Sequence, residues 1–221
     1  MFIPIIKLNL ANWNNPTYGT LLQRSYYYQE QLPLNFNFRF FYQNYTSITI
    51  TTYGFVYFSH GSNQHSGNSI VGFNYNGDTR YKGGIYYQNL YSGSTESIEI
   101  KSTINKIDSN FVPSNIYRIT YDNVPQLYYE SLVASFQIIL TTDLSKYFVI
   151  LKYTSCLSNS TLSTLPGLYF LNENQTQLSN LLTDPCFSSN VNEIGTWVFD
   201  VSSTNRKYFN LKNNLVFFEE N

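Results

Sequence analysis

The chain has 221 residues, with 13 Lys+Arg against 14 Asp+Glu for a formal net charge of −1, and its 40 aromatic residues (21 Tyr, 17 Phe, 2 Trp) outnumber its charges. With only 12% charged residues and no Lys/Arg block, it lacks the focused positive field that nucleic acid or an anionic membrane needs in a partner. A hydrophobic content of 43% near neutral charge also excludes intrinsic disorder, and 221 residues are enough for one large all-β domain with a substantial core.

From the N-terminus, Met1-Phe2-Ile3-Pro4-Ile5-Ile6-Lys7 carries an apolar patch without a basic n-region, a long h-region or a small-residue cleavage site. No apolar stretch approaches the roughly 20 residues of a membrane-spanning helix. Tyr26-Tyr27-Tyr28 follows, beside Gln29-Glu30-Gln31, and is the aromatic cluster least easily assigned to a core. Ser47 to Phe58 alternates as a strand, with Tyr53, Phe55 and Tyr57 on one face and Thr52, Val56 and Phe58 on the other; Gly54 within it predicts a bulge or a close backbone approach. His60 and His65 sit in a Ser/Gly/Asn/Gln loop with no Cys, Asp or Glu nearby, and read as solvated side chains.

Asn76-Gly77 between Ile70–Tyr75 and Ile85-Tyr86-Tyr87 predicts a tight hairpin turn. Asp78 and Arg80 then fall on one side of a strand and are expected to form an ion pair, and Gly83-Gly84 reads as a turn or bulge, since neither P-loop nor dinucleotide spacing follows. Residues 97–111 fit both periods; Ile100, Ile104, Ile107 and Phe111, spaced 4, 3 and 4, favour a short helix ending before Pro113. Strands are expected at Tyr117–Tyr121, Leu168–Leu171 and Thr196–Val201. The clearest hairpin runs from Leu132 to Tyr153, turning at Asp143-Leu144-Ser145-Lys146. Further tyrosines cluster at Tyr86-Tyr87 with Tyr91 and at Tyr128-Tyr129. Strand packing accounts for many of them, but a tyrosine also joins a large apolar body to a hydrogen-bonding tip, which suits protein interfaces and sugar rings.

Cys156 and Cys186 enclose a loop of about 30 residues whose closure would contribute about 3.5 kcal/mol in a chain-entropy model; two buried free thiols are the alternative. Sequons without proline stand at Asn44, Asn159 and Asn174. These features favour an extracellular origin, the chain being a piece of a longer secreted protein. No Gly-x-Ser-x-Gly elbow or structurally held histidine supports a hydrolase, so no catalytic residue, cofactor or metal is assigned.

Three stretches together resemble the NIDO domain, the extracellular module of nidogen/entactin, the tectorins and some membrane mucins. They are Thr51 to Phe58, with Gly54-Phe55; Ile70-Val71-Gly72-Phe73 through Asp78-Thr79-Arg80 to Gly84-Ile85-Tyr86-Tyr87; and Ile119 to Val124 with Asp122, followed by Ser135-Phe136-Gln137 and the return strand. Gly195-Thr196-Trp197 is similar to the closing strand of the family. The chain departs from the family at Gly72, Asn74 and Asn76, where members usually carry Pro, Trp and a second acidic residue; this weakens any cation site at Asp78. Tyr121-Asp122 replaces a Trp-Asp pair. The resemblance implies an all-β, mainly antiparallel β-sandwich with one or two short helices over residues 31–202, between extensions at 1–30 and 203–221. It implies a non-catalytic, extracellular or cell-surface module in cell–matrix adhesion whose partner is a matrix or cell-surface protein, with no nucleic acid partner and no membrane insertion. A carbohydrate-binding module using exposed Tyr and Asn is the alternative. Interface candidates are Tyr26, Tyr27, Tyr28, Tyr128 and Tyr129.

Overall fold

A computed structural model of the chain describes residues 19–59, 65–155, 166–171 and 177–202. They form two six-stranded antiparallel sheets packed face to face. The first contains, in spatial order, β1 (Thr20–Leu21), β6 (Gly84–Leu90), β7 (Asn115–Gln126), β8 (Tyr129–Thr142), β9 (Tyr147–Ser155) and β12 (Thr196–Asp200). The second contains β11 (Gln177–Leu181), β10 (Gly167–Leu171), β5 (His65–Val71), β4 (Phe55–Ser59), β3 (Gln43–Thr51) and β2 (Gln29–Phe40).

Period-two alternation drives the layering. Phe38, Phe40, Ile48, Ile50, Val56, Phe58 and Ile70 from the second sheet meet Ile119, Phe136, Ile138, Leu140, Val149, Leu151, Trp197 and Phe199 from the first in one continuous core. Each such side chain gains about 1.5–3 kcal/mol on burial. Tyrosines join this core because their hydroxyls reach backbone carbonyls of the facing layer: Tyr121 donates to Thr51 O at 2.8 Å and Tyr153 to Gly72 O at 3.3 Å. Burial pushes both phenols well above their ordinary range. Much of the aromatic excess is therefore interior packing.

The expected helix is α1 (Thr95–Ile104), capped by the Ser94 hydroxyl, which accepts from Ser97 N. Ile100, Ile104 and the following Phe111 cover Ile139, Phe148, Ile150 and Val198 on the outer face of the first sheet, making a second, smaller core. The helix starts two residues before the periodic run and stops at Ile104, so Ile107 is 47% exposed. The Leu132–Tyr153 hairpin forms as expected from β8 and β9, and the Asp143 carboxylate accepts from Ser145 N and Lys146 N in its turn.

Three local readings need correction. Ser47 to Phe58 is not one strand: Gly54, at φ +86°, turns β3 back into β4 as a hairpin. The backbone approach there is as close as the glycine suggests, since a Cβ on Gly54 would lie 1.9 Å from Phe73 O. Asn76-Gly77 is not a hairpin turn, because β5 and β6 belong to different sheets and residues 72–83 carry the chain across the end of the sandwich. Asp78 and Arg80 do form an ion pair, but in this crossover and not on a strand.

The outer edge of β12 is closed by side chains. Asn190 Nδ2 donates to Val198 O at 2.6 Å and Asn190 Oδ1 accepts from Val198 N at 2.9 Å, while Ser189 Oγ donates to Thr196 O at 2.8 Å and Thr196 N donates to Glu193 O at 2.9 Å.

Candidate functional site

The crossover is fixed on both sides by backbone hydrogen bonds. Toward the β3–β4 turn, Gly72 N donates to Gly54 O (2.9 Å) and Tyr75 N to Tyr53 O (3.2 Å). Toward the tip of the β7–β8 hairpin, Asp78 N donates to Pro125 O (2.8 Å) and Leu127 N to Asn76 O (2.6 Å), the pair of bonds that sets Gly77 opposite Gln126. The departure from the family at Gly72 has a physical cause here. A Cβ at this position would lie 1.9 Å from the Phe136 ring, and a proline could not donate to Gly54 O.

Thr79, at the centre of the Asp-Thr-Arg block, is 2% exposed and clamps the segment before β2. Its Oγ1 accepts from Ser25 N (2.9 Å) and donates to Ser25 O (3.0 Å), its own N–H donates to the same carbonyl (2.9 Å), and its carbonyl accepts from Arg24 Nη1 (2.9 Å). The clamp delivers Tyr26 to Arg80, whose guanidinium lies 4.6 Å from the centre of the Tyr26 ring and 5.3 Å from that of Tyr81. The same guanidinium grips Asp78, with Nη2 to Oδ2 at 2.7 Å and Nε to Oδ1 at 3.0 Å. These hydrogen bonds from Arg80 hold the Asp78 carboxyl below the usual carboxylate range.

Between crossover and hairpin tip lies a groove of about 400 Å³, with Asp78, Arg80, Tyr81 and Lys82 on one side and Gln126, Tyr128 and Glu130 on the other. Gln126 and Tyr129 pair across β7 and β8, leaving the two-residue turn Leu127-Tyr128. Tyr128 sits at φ +68°, a left-handed conformation that favours glycine and costs a bulky residue about 1–3 kcal/mol. Its side chain is 89% exposed, that of Tyr81 81%. Gln126 Oε1 is buried on the groove wall without a hydrogen-bond donor.

Of the interface candidates, Tyr26, Tyr27, Tyr128 and Tyr129 are exposed. Tyr26 and Tyr128 come together at this groove, through Arg80. Tyr27 packs edge-on against Tyr53 at 5.5 Å, and Tyr28 is half-buried with its hydroxyl on Glu30 Oε2 at 3.4 Å. Sequence reasoning missed Tyr81, Lys82, Gln126 and Glu130; the run Arg80-Tyr81-Lys82 just before Gly83-Gly84 was the available sign of an exposed aromatic.

The remaining motif residues serve the framework. Phe55 stacks on Tyr57 at 5.6 Å; Phe73 is fully buried against Phe136 at 5.5 Å; Gly84 opens β6, whose Tyr86 and Tyr87 are half-buried. Burial raises the Asp122 carboxyl, opposed by a hydrogen bond from Asn123 Nδ2 at 2.7 Å. Gln137 Nε2 donates to Thr120 Oγ1 at 3.1 Å, Gly195 turns at φ +77°, and Trp197 Nε1 donates to Pro185 O at 2.9 Å. Cys186 is buried and is not a free thiol. Asn44 is exposed at the start of β3. Cys156, Asn159, Asn174 and His60 lie outside the described residues, as does the side chain of His65, whose backbone opens β5 opposite Ser59 and does not lie in the expected loop. Among the described residues no cluster of His, Cys, Asp and Glu could hold a metal ion, and no helix is long and apolar enough to cross a membrane.

A family model described as the nidogen-like domain (NIDO) matches residues 37–203, which include the whole crossover and the hairpin tip. No curated protein and no solved structure matches the chain.

Proposed function

The chain belongs to the nidogen-like domain family, whose members are extracellular, non-enzymatic modules of adhesion-related proteins, and on that premise we propose that it binds a matrix or cell-surface protein through the tyrosine-rimmed end of the sandwich. The observation that carries this reading is a groove lined by Tyr81 and Tyr128, with Tyr26 against the Arg80 of its wall. Interface anchors are enriched in Tyr and Arg, and Arg80 is fixed here by Asp78 before any partner arrives. A tyrosine kept at positive φ on an exposed tip, where glycine would relieve the backbone, is the pattern expected when presentation of the ring is selected over stability.

On this reading the chain works outside the cell without catalysis, cofactor or metal. Cys156 pairs with Cys186 in that compartment, and Asn44, Asn159 and Asn174 are the candidate glycosylation sites. Adhesion of the chain, made in a secretory host, to extracted matrix and to intact cells tests the proposal. Wild type should bind, and Tyr128→Ala combined with Tyr81→Ala should weaken binding by about 30-fold, the scale of losing two aromatic anchors. Binding unchanged in the double variant would move the contact surface elsewhere.

A further inference from the structure

We infer that the groove between the crossover and the β7–β8 tip is a subsite for an uncharged, hydroxyl-rich ligand, a neutral sugar residue of a partner's glycan. This rests on the reading that the tyrosine-rimmed end is the contact surface, and it names what the groove itself would take.

The electrostatics come first. Asp78 and Arg80 neutralise one another through a bidentate contact, and the other two charges facing the groove, Lys82 and Glu130, are of opposite sign. The lining therefore sums to zero and focuses neither a positive nor a negative field, so a sulfated, sialylated or phosphorylated ligand gains nothing there over bulk solvent, and neither does a lysine-rich peptide. The ligand that fits is neutral.

The polar groups then narrow the class. Gln126 lines the groove, and its Oε1 is turned beneath the wall as a buried acceptor with no donor; a ligand toward which this amide rotates gives it a hydrogen bond and removes the penalty of leaving it unpaired. A proline-rich segment, a common neutral occupant of tyrosine-lined grooves, has no prolyl N–H to offer. A sugar hydroxyl donates and accepts at once, and so answers both the orphaned carbonyl and the ammonium of Lys82. The rings of Tyr81 and Tyr128, 81% and 89% exposed, present apolar surface to the C–H faces of a pyranose. Size agrees, because about 400 Å³ lies toward the small end of ligand sites and suits one or two sugar rings better than an extended chain. The two backbone hydrogen bonds that strap crossover to hairpin hold the backbone of this lining in place before binding.

The test uses the whole chain on an array of immobilised glycans bearing neutral termini (mannose, galactose, fucose, N-acetylglucosamine) alongside sialylated and sulfated ones, with hits measured in solution by NMR titration. Expected are neutral glycans bound more tightly than about 1 mM. Tyr128→Ala should weaken them about tenfold or more. Gln126→Leu, which nearly keeps the volume and removes the amide, should weaken them about fivefold with a thermal melt equal to or above that of wild type. The inference is overturned if no neutral glycan binds, if only anionic glycans do, or if both variants bind as wild type. The two readings fail separately. Matrix adhesion that survives enzymatic removal of neutral glycans but is lost in Tyr128→Ala with Tyr81→Ala leaves the protein contact standing and eliminates the sugar.

Discussion

The helix-covered face of the first sheet and the groove end of the sandwich are built from similar material and treated in opposite ways. On the face, apolar side chains outside the main core, Ile139, Phe148 and Ile150, are roofed by Ile100, Ile104 and Phe111. At the end, Tyr26, Tyr81 and Tyr128 lie uncovered, on a backbone that hydrogen bonds tie to the β3–β4 turn, the hairpin tip and Ser25. The fold thus roofs apolar surface on the sheet face and leaves it open, on a hydrogen-bonded backbone, at the groove end. Exposure at the groove end is a built feature.

Substitutions at the two regions should therefore separate stability from binding. The largest effect is expected from Phe111→Ala, which opens the roof over Phe148, its edge-on neighbour at 4.9 Å; a loss of about 3–5 kcal/mol in urea unfolding is expected, with binding per folded molecule retained. A loss under about 1 kcal/mol would mean that the helical roof is dispensable and that the contrast fails. Thr79→Val keeps the volume and removes the two Oγ1 bonds of the Ser25 clamp while the backbone bond from Thr79 N to Ser25 O remains; a cost of about 1–3 kcal/mol and a loosened Tyr26–Arg80 contact are expected, so this variant alone should lower stability and adhesion together. Tyr128→Gly should go the other way, with unfolding free energy equal to or up to about 1 kcal/mol above wild type because the left-handed strain is relieved, while adhesion falls. A destabilised Tyr128→Gly would show that the tyrosine is packing and not presentation.

The smallest effect concerns acid. The Asp78 carboxyl is depressed in the folded state by its hydrogen bonds to Arg80, so its stabilising contribution is fully present above the unfolded carboxyl value of about 3.9 and is lost as the pH falls from there through the folded value. Thermal melts of wild type and Asp78→Asn from pH about 6 down to about 2 should converge at the acid end. Because the pair is partly open to solvent, the gap at neutral pH should be slight.

What the sequence reveals follows the range of the interactions involved. The β8–β9 hairpin is legible because its alternation and its Asp143 turn are contiguous. The helix is legible to within a turn, since Ile107 continues the spacing after the helix has ended. Asn76-Gly77 misleads because a turn-favouring dipeptide carries no information about which sheet the next strand joins. Gly54 signals a close approach without saying that the chain reverses there. The groove was beyond reach for the same reason on a larger scale: Tyr26, Arg80 and Tyr128 are roughly 50 residues apart from one to the next, and only the Thr79 clamp and the crossover's contacts with the hairpin tip bring them together. Tyr26-Tyr27-Tyr28 and Tyr128-Tyr129 stood out as clusters, whereas Tyr81, single between Arg80 and Lys82, did not.

The closure of β12 bears on how such a module behaves when many copies are crowded together. An open edge strand is a template, and each strand added to it exposes another, so local concentration turns a weak pairing into growth of fibrils. At Thr196 and Val198 the outward donors and acceptors are already taken by Ser189, Asn190 and Glu193, so a neighbouring strand finds nothing there to copy. One asparagine amide thereby acts as a chain terminator at this edge of the first sheet.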